Sequence, residues 1–311
     1  MLTADSINQY ALPAFVLALS VEALVSFFYQ KAWYQPRDTA LSLGLLVLST
    51  LIDVLPKALA VVVFFQLYEL SPLKTIVGTE WWAWCLLFVL DDLIYYWFHR
   101  ANHEVRLFWA GHEAHHSAQL MNFGTALRQG VGERIHKYWF WLPLPLLGFH
   151  PVMVLTMISI NLAYQFWVHT ETVYKLPAWF EGIFNTPSHH RVHHGSNVAY
   201  LDQNHGGVLI IWDRLFGTFV EEVPERPVVY GLTKNLEGRN PLYFAVAGYL
   251  ALWRDLKTCQ TWSQRLGFLF KAPGWHFDGP DMRAKTRRAA LHGRAALHLS
   301  LIHISEPTRR S

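Results

Sequence analysis

Long apolar runs separated by short polar intervals organise the first half of the chain. Four of them, Tyr10 to Tyr29, Leu41 to Leu70, Trp81 to Phe98 and Tyr138 to Val168, are long enough to cross or enter a bilayer. The second contains Asp53, Pro56 and Lys57, where a break is expected. The fourth has 31 residues. As one straight helix it would be roughly 46 Å long, against a hydrocarbon core of about 30 Å. Pro143, Pro145, Gly148 and Pro151 instead predict a helical hairpin that enters and leaves on one face, returning His169 to the side of the other histidines. From Leu176 to Arg239 the pattern is mixed, with the turn signals NTP, HGG and VPERP, and predicts a cap. Tyr243 to Trp253 is apolar but short, so it should lie at an interface or pack on the bundle.

Composition agrees with a membrane protein: 52% apolar, 15% aromatic and only 16% charged residues. A net charge of +3, with no basic stripe interleaved with aromatics, argues against nucleic acid as a partner. Cys85 and Cys259 are far apart and give neither a disulfide framework nor a thiolate metal site. MLTADSINQY carries no basic stretch before its apolar run, so that run reads as a retained span. Lys31 and Arg37 before the second run, and Arg100, Arg106, Arg128, Arg134 and Lys137 after the third, place these loops in the cytoplasm. The expected fold is all-α: a polytopic membrane helical bundle under a cytosolic, histidine-rich cap. Residues 1–80 are the first spans, 81–240 the histidine-rich domain with further membrane helices, and 241–298 an interfacial segment with a basic tail, Arg283 to Arg294. Leu299 to Ser311 reads as non-native sequence and is set aside with His303.

Thirteen of the seventeen histidines lie between residues 99 and 205. His99 and His103 are four apart, so on a helix that continues the third run they share a face. His112, His115 and His116 repeat the i, i+3, i+4 spacing, as do His190, His193 and His194. Neutral imidazole is the commonest side-chain metal ligand. These eight, with His169 in FWVHTE as a ninth, suit two metals of four or five nitrogens each. His136, His150, His189 and His205 are left outside the set. Asp92, two turns before His99, is expected to accept the spare ring N–H of His99 or His103. HEAHH also spells the zinc-protease motif through His112, Glu113 and His116, but a protease of about three ligands leaves two clusters unexplained. A metal transporter needs ionisable residues through the depth of several spans, whereas these cluster at one face. Two redox irons beside a bilayer would bind O2 and oxidise a lipid C–H bond.

The spacing HxxxH, HxxHH, HxxHH and the words YYWFHRANHE, HEAHHSAQLMN, YQFWVHTE, PSHHRVHHG and YLDQNHGGVLIIWDRLFGTF resemble the fatty acid hydroxylase, or sterol desaturase, superfamily of membrane diiron enzymes. The resemblance covers about residues 85 to 225 and is closest to the alkylglycerol monooxygenase branch. It implies two iron ions, O2 as co-substrate and a lipid substrate, such as a sterol, a fatty acid or an alkylglycerol. For that branch it implies hydroxylation of the ether-linked carbon of glyceryl ethers with tetrahydrobiopterin as reductant. It also makes Glu104 a candidate functional residue. His205, in NHGG, stands where the family usually has Tyr. The chain carries no dinucleotide fingerprint, so electrons should come from a pterin or a reductase-fed carrier.

Overall fold

The computed structural model describes residues 4–238 and 240–291, so the reading of Leu299 to Ser311 lies outside the described residues. Three long helices come first: α1 (Ala4–Phe28), α2 (Pro36–Leu70) and, after the short α3 (Lys74–Val77), α4 (Trp81–Glu104). Then come α5 (Arg106–His116), α6 (Phe123–Ala126), α7 (Glu133–His136), a 3-10 turn over Lys137–Trp141, α8 (Pro143–Leu146) and α9 (Pro151–Trp167). Short helices α10 (Ala178–Glu181), α11 (Pro187–His193) and α12 (Ile211–Phe216) hold the loop-rich region, and α13 (Pro241–Thr258) and α14 (Trp262–Phe270) follow. Among the described residues there is no strand, only isolated bridges at Phe184–Leu209 and Gly195–Tyr230.

α2 does not break where its proline predicts. It runs through Pro56 for 35 residues, about 52 Å at the helical rise. The proline removes one backbone donor, but Asp53, less than a turn earlier, accepts from the Tyr138 hydroxyl at 3.0 and 3.2 Å. That contact ties the helix to the Lys137–Trp141 turn beside the weakened point. Among the described residues α2 alone is long and apolar enough to cross a membrane; Pro13–Phe28 and Pro151–Trp167 are apolar but shorter. The four expected spans therefore reduce to one clear candidate. Leu51, Leu55 and Leu59 of α2 and Leu17 and Phe28 of α1 are all more than half exposed, leaving an apolar outer face.

The fourth apolar run is divided as its prolines predict. Gly148 sits at φ +90°, and a Cβ there would meet the Leu73 backbone at 2.7 Å. α9 restarts at Pro151, and the His150 ring accepts the Val152 N–H at 3.3 Å. Leu87 and Phe98 of α4, Phe64 of α2, Trp141, Leu144 and α9's Val154 form the central core. A second cluster joins Leu41 and Leu45 of α2, Ala114 of α5 and Phe244 and Ala245 of α13. The short apolar segment after residue 241 is thus packed on the bundle. The basic stretch is not a free tail, at least to residue 291: residues 284–291 are helical, and Arg288 donates to the Leu201 carbonyl.

α13 approaches α5 at Gly248, where an added Cβ would lie 2.7 Å from Ala110 Cα and its carbonyl. Gly248→Val should cost about 1–3 kcal/mol by overpacking and lower the unfolding midpoint of the detergent-solubilised protein. Gly279→Ala, whose Cβ would meet nothing nearer than 3.5 Å, should leave that midpoint unchanged.

Candidate metal centre

The structure gathers all nine expected histidines. One ligand nitrogen from each of His99, His103, His112, His116 and His193 lies within 4.8 Å of every other; His115, His169, His190 and His194 form a second such group. Each triplet is split: α5 sends His112 and His116 to the first group and His115 to the second, while His193 and His190 on α11 separate likewise, with His194 just beyond it. His169, two residues past α9, completes the four-membered group.

Hydrogen bonds on the outer ring nitrogens fix these rings. Nδ1 of His99, His115, His169 and His193 meets the carbonyls of His205, Arg128, Gln165 and Gln203 at 2.8 to 2.9 Å. A carbonyl can only accept, so each of these Nδ1 atoms is the protonated one and each Nε2 carries a lone pair. His112 Nδ1 meets Glu133 Oε2 at 2.6 Å, and His103 Nδ1 meets Asp202 Oδ1 at 3.3 Å. The inner nitrogens then face one another. His169 Nε2 lies 3.4 Å from His115 Nε2 and 2.9 Å from His190 Nε2, and His112 Nε2 lies 3.1 Å from His116 Nε2. In the first of these pairs both atoms are acceptors. Nε2 of His99, His103 and His193 is buried with no partner at all. Burial drives His115, His116, His193 and His194 well below the ordinary imidazole range, which keeps them neutral. Two sets of buried, converging lone pairs fit two cations in the shared spaces.

Asp92 has a different place from the one expected. It meets neither His99 nor His103. Its carboxylate accepts from the Val208 and Leu209 N–H groups at 2.7 and 3.0 Å, from Trp212 Nε1 at 2.9 Å and from Asn161 Nδ2 at 3.2 Å. Seven residues put Asp92 on the side of α4 that faces the 205–212 loop, where unpaired backbone donors outbid a ring that already has a carbonyl. Glu104 pairs with Arg100 at 2.9 Å on a partly exposed helix end. His189 faces Glu181 at 4.0 Å, His136 meets Asn102 Oδ1 at 2.8 Å, and His150 caps α9. The sequence reading missed Glu133 and Asp202. Glu133 had one faint signal, being one of only two acidic residues between positions 105 and 170.

Two cavities reach the rings, and no ring lines both. One of about 230 Å³ touches His99, His112, His115, His169 and His190. Its wall is apolar at Phe15, Leu46, Leu162 and Phe166 and polar at Gln129, Arg134, Lys137 and Gln165. The other, about 300 Å³, touches His103, His116, His193 and His194 and is lined by Glu113, Asp202, Lys234 and Arg287. Glu113, the acid of HEAHH, therefore opens on a different cavity from His112, and its motif histidines share a five-nitrogen group.

A helical domain that holds two neighbouring groups of buried imidazoles is a metal-binding class of site. The fatty acid hydroxylase family model matches residues 84–218, which span every one of these histidines. The chain is 38% identical over 261 residues to alkylglycerol monooxygenase of Xenopus tropicalis, covering 84% of this chain and 58% of that protein. It is 37% identical over 277 residues to alkylglycerol monooxygenase of Homo sapiens, covering 88% and 61%. Lathosterol oxidase of Homo sapiens is 24% identical over 157 residues, covering 49% and 46%. Residues 84–218 thus carry a fatty acid hydroxylase domain. The chain spans about three fifths of the length of these two alkylglycerol monooxygenases. No solved structure matches it.

Glu133→Gln should weaken metal binding by roughly 10–100-fold, read by metal titration, because it replaces the carboxylate that orients His112. Asp92→Ala should leave metal binding within a few-fold of wild type. It should instead cost at least about 3 kcal/mol of stability through the orphaned donors, read by thermal unfolding.

Proposed function

We propose that this protein is a membrane-bound, O2-dependent lipid monooxygenase with two irons, acting on an ether lipid of the alkylglycerol type. The observation that carries this reading is the pair of imidazole groups, both of which line a cavity that holds apolar as well as polar side chains. His99, His103, His112, His116 and His193 would hold one iron, and His115, His169, His190 and His194 the other. Irons held there would supply O2 activation and the oxidising power to take a hydrogen from the carbon beside the ether oxygen. Overall, one oxygen atom enters the C–H bond and the other leaves as water, with two electrons and two protons drawn from outside.

The chain's own residues bind and aim the substrate. An alkyl chain lies along Phe15, Leu46, Leu162 and Phe166, and glycerol hydroxyls meet Gln129, Arg134, Lys137 and Gln165. That orientation presents the carbon beside the headgroup, rather than the chain end, to the histidines. The names of the relatives support the same substrate class. On this reading the cavity opens toward lipid, in a multi-pass bundle whose basic loops face the cytoplasm; the exposed apolar faces of α1 and α2 support it. The second cavity, with Lys234, Arg287 and Glu113, gives a pterin or an electron-carrier protein a separate, polar approach to the rings. Glu104 and Arg100, paired on a partly exposed helix end, are the candidates for a surface contact with such a partner.

Membranes containing the protein, supplied with an alkylglycerol, a sterol, a fatty acid and labelled O2, should place one labelled atom in the alkylglycerol product. Turnover in anoxic buffer, or a product without label, overturns the reading. His193→Ala should abolish turnover while the protein remains in the membrane.

A further inference from the structure

Among the described residues, His205 is the one buried imidazole neither of whose ring nitrogens makes a hydrogen bond of normal geometry. Its side chain is fully shielded from solvent. The other histidines with an unpartnered buried nitrogen are, with the exception of His189, members of the two metal groups. The His205 ring centre lies 5.0 Å from that of His103, 5.7 Å from His193 and 5.8 Å from His99. His99 and His103, both members of the five-membered group, are themselves 5.3 Å apart. The ring thus stands at the edge of that group, beside three of its five members.

The backbone beneath it is built to hold this position. The His205 and Gly206 N–H groups both donate to Asp213, at 2.7 Å each. Asp202 and Asn204, non-glycine residues, take φ values of +50° and +55°, and the Asn204 side chain anchors to the His189 and Val220 main chains. The His205 carbonyl accepts the His99 N–H, so the residue already orients one ring of the group through its main chain. An imidazole held by such a turn, out of water and with free nitrogens, is a donor awaiting an acceptor.

We propose that His205 is a sixth nitrogen donor at the five-histidine metal position, swinging onto the metal when it binds. The proposal rests on the two-metal reading above. It predicts that the two metals differ in how firmly they are held once His205 is altered, and that the His99 hydrogen bond, made by a carbonyl, survives the change.

The test loads the full-length protein in detergent with ferrous iron under anoxia, then follows iron bound per chain and its extraction by a coloured chelator. Wild type should hold about two irons. His205→Phe, which fills the space without a nitrogen, should release one of the two at least about 10-fold faster and leave the other phase unchanged. His205→Gln, which keeps a polar side chain, guards against misfolding and should behave the same way. His189→Phe, altering a buried histidine outside both groups, should extract as wild type does. Wild-type extraction by both His205 variants overturns the proposal. A wild-type protein that holds no iron overturns instead the two-metal reading beneath it.

Discussion

Lone pairs that face one another inside a protein repel unless something positive sits between them, and the architecture of this chain is arranged around that constraint. Carbonyl oxygens of residues 128, 165, 203 and 205 take the outer N–H of four rings and so force their inner nitrogens to be acceptors. His115 and His169 come from segments 54 residues apart, yet their inner nitrogens stop 3.4 Å from each other. The surrounding packing holds them there: Asp91 takes Trp141 and Asn161, Asp92 gathers the 208–212 backbone onto α4, and Asp213 closes the loop at His205. Each of these buried carboxylates meets several donors, as burial of a charge requires. They buttress the histidines without touching them.

The same arrangement separates chemistry from access. One cavity meets five of the nine rings and has Phe15, Leu46 and Phe166 among its lining; the other meets the remaining four and has Glu113, Lys234 and Arg287 among its lining. Under the proposed function, a lipid and a polar reductant have different solvation needs, and two cavities would give each its own approach. The first cavity is lined in part by Phe15 of α1 and Leu46 of α2, helices with apolar outer faces, and the second in part by Pro273, Gly274 and Met282.

Much of the centre was legible in the chain because helical spacing is a local property. The i, i+4 spacing of His99 and His103, and the i, i+3, i+4 triplets, fix which rings share a face before any tertiary contact forms. The break near Gly148 was equally local, since Pro143, Pro145 and Pro151 deny donors wherever they fall. The rest depended on partners distant in sequence. Asp92 was assigned to His99 or His103 by counting along one helix, whereas three of the four donors that claimed it lie 116 to 120 residues on. Pro56 suggested a break that Asp53 and Tyr138, 85 residues apart, make unnecessary. Glu133 looked like an ordinary loop charge because nothing in the sequence places it against His112.

The central claim is that two unlike metal positions, one with five imidazoles at its core and one with four, sit side by side in each chain. Mössbauer spectroscopy of protein enriched in iron-57 tests this most directly. The account predicts two iron signals of equal intensity, distinct from each other and together amounting to about two irons per chain. A single signal at one iron per chain, or iron that washes away without an ordered site, would contradict it.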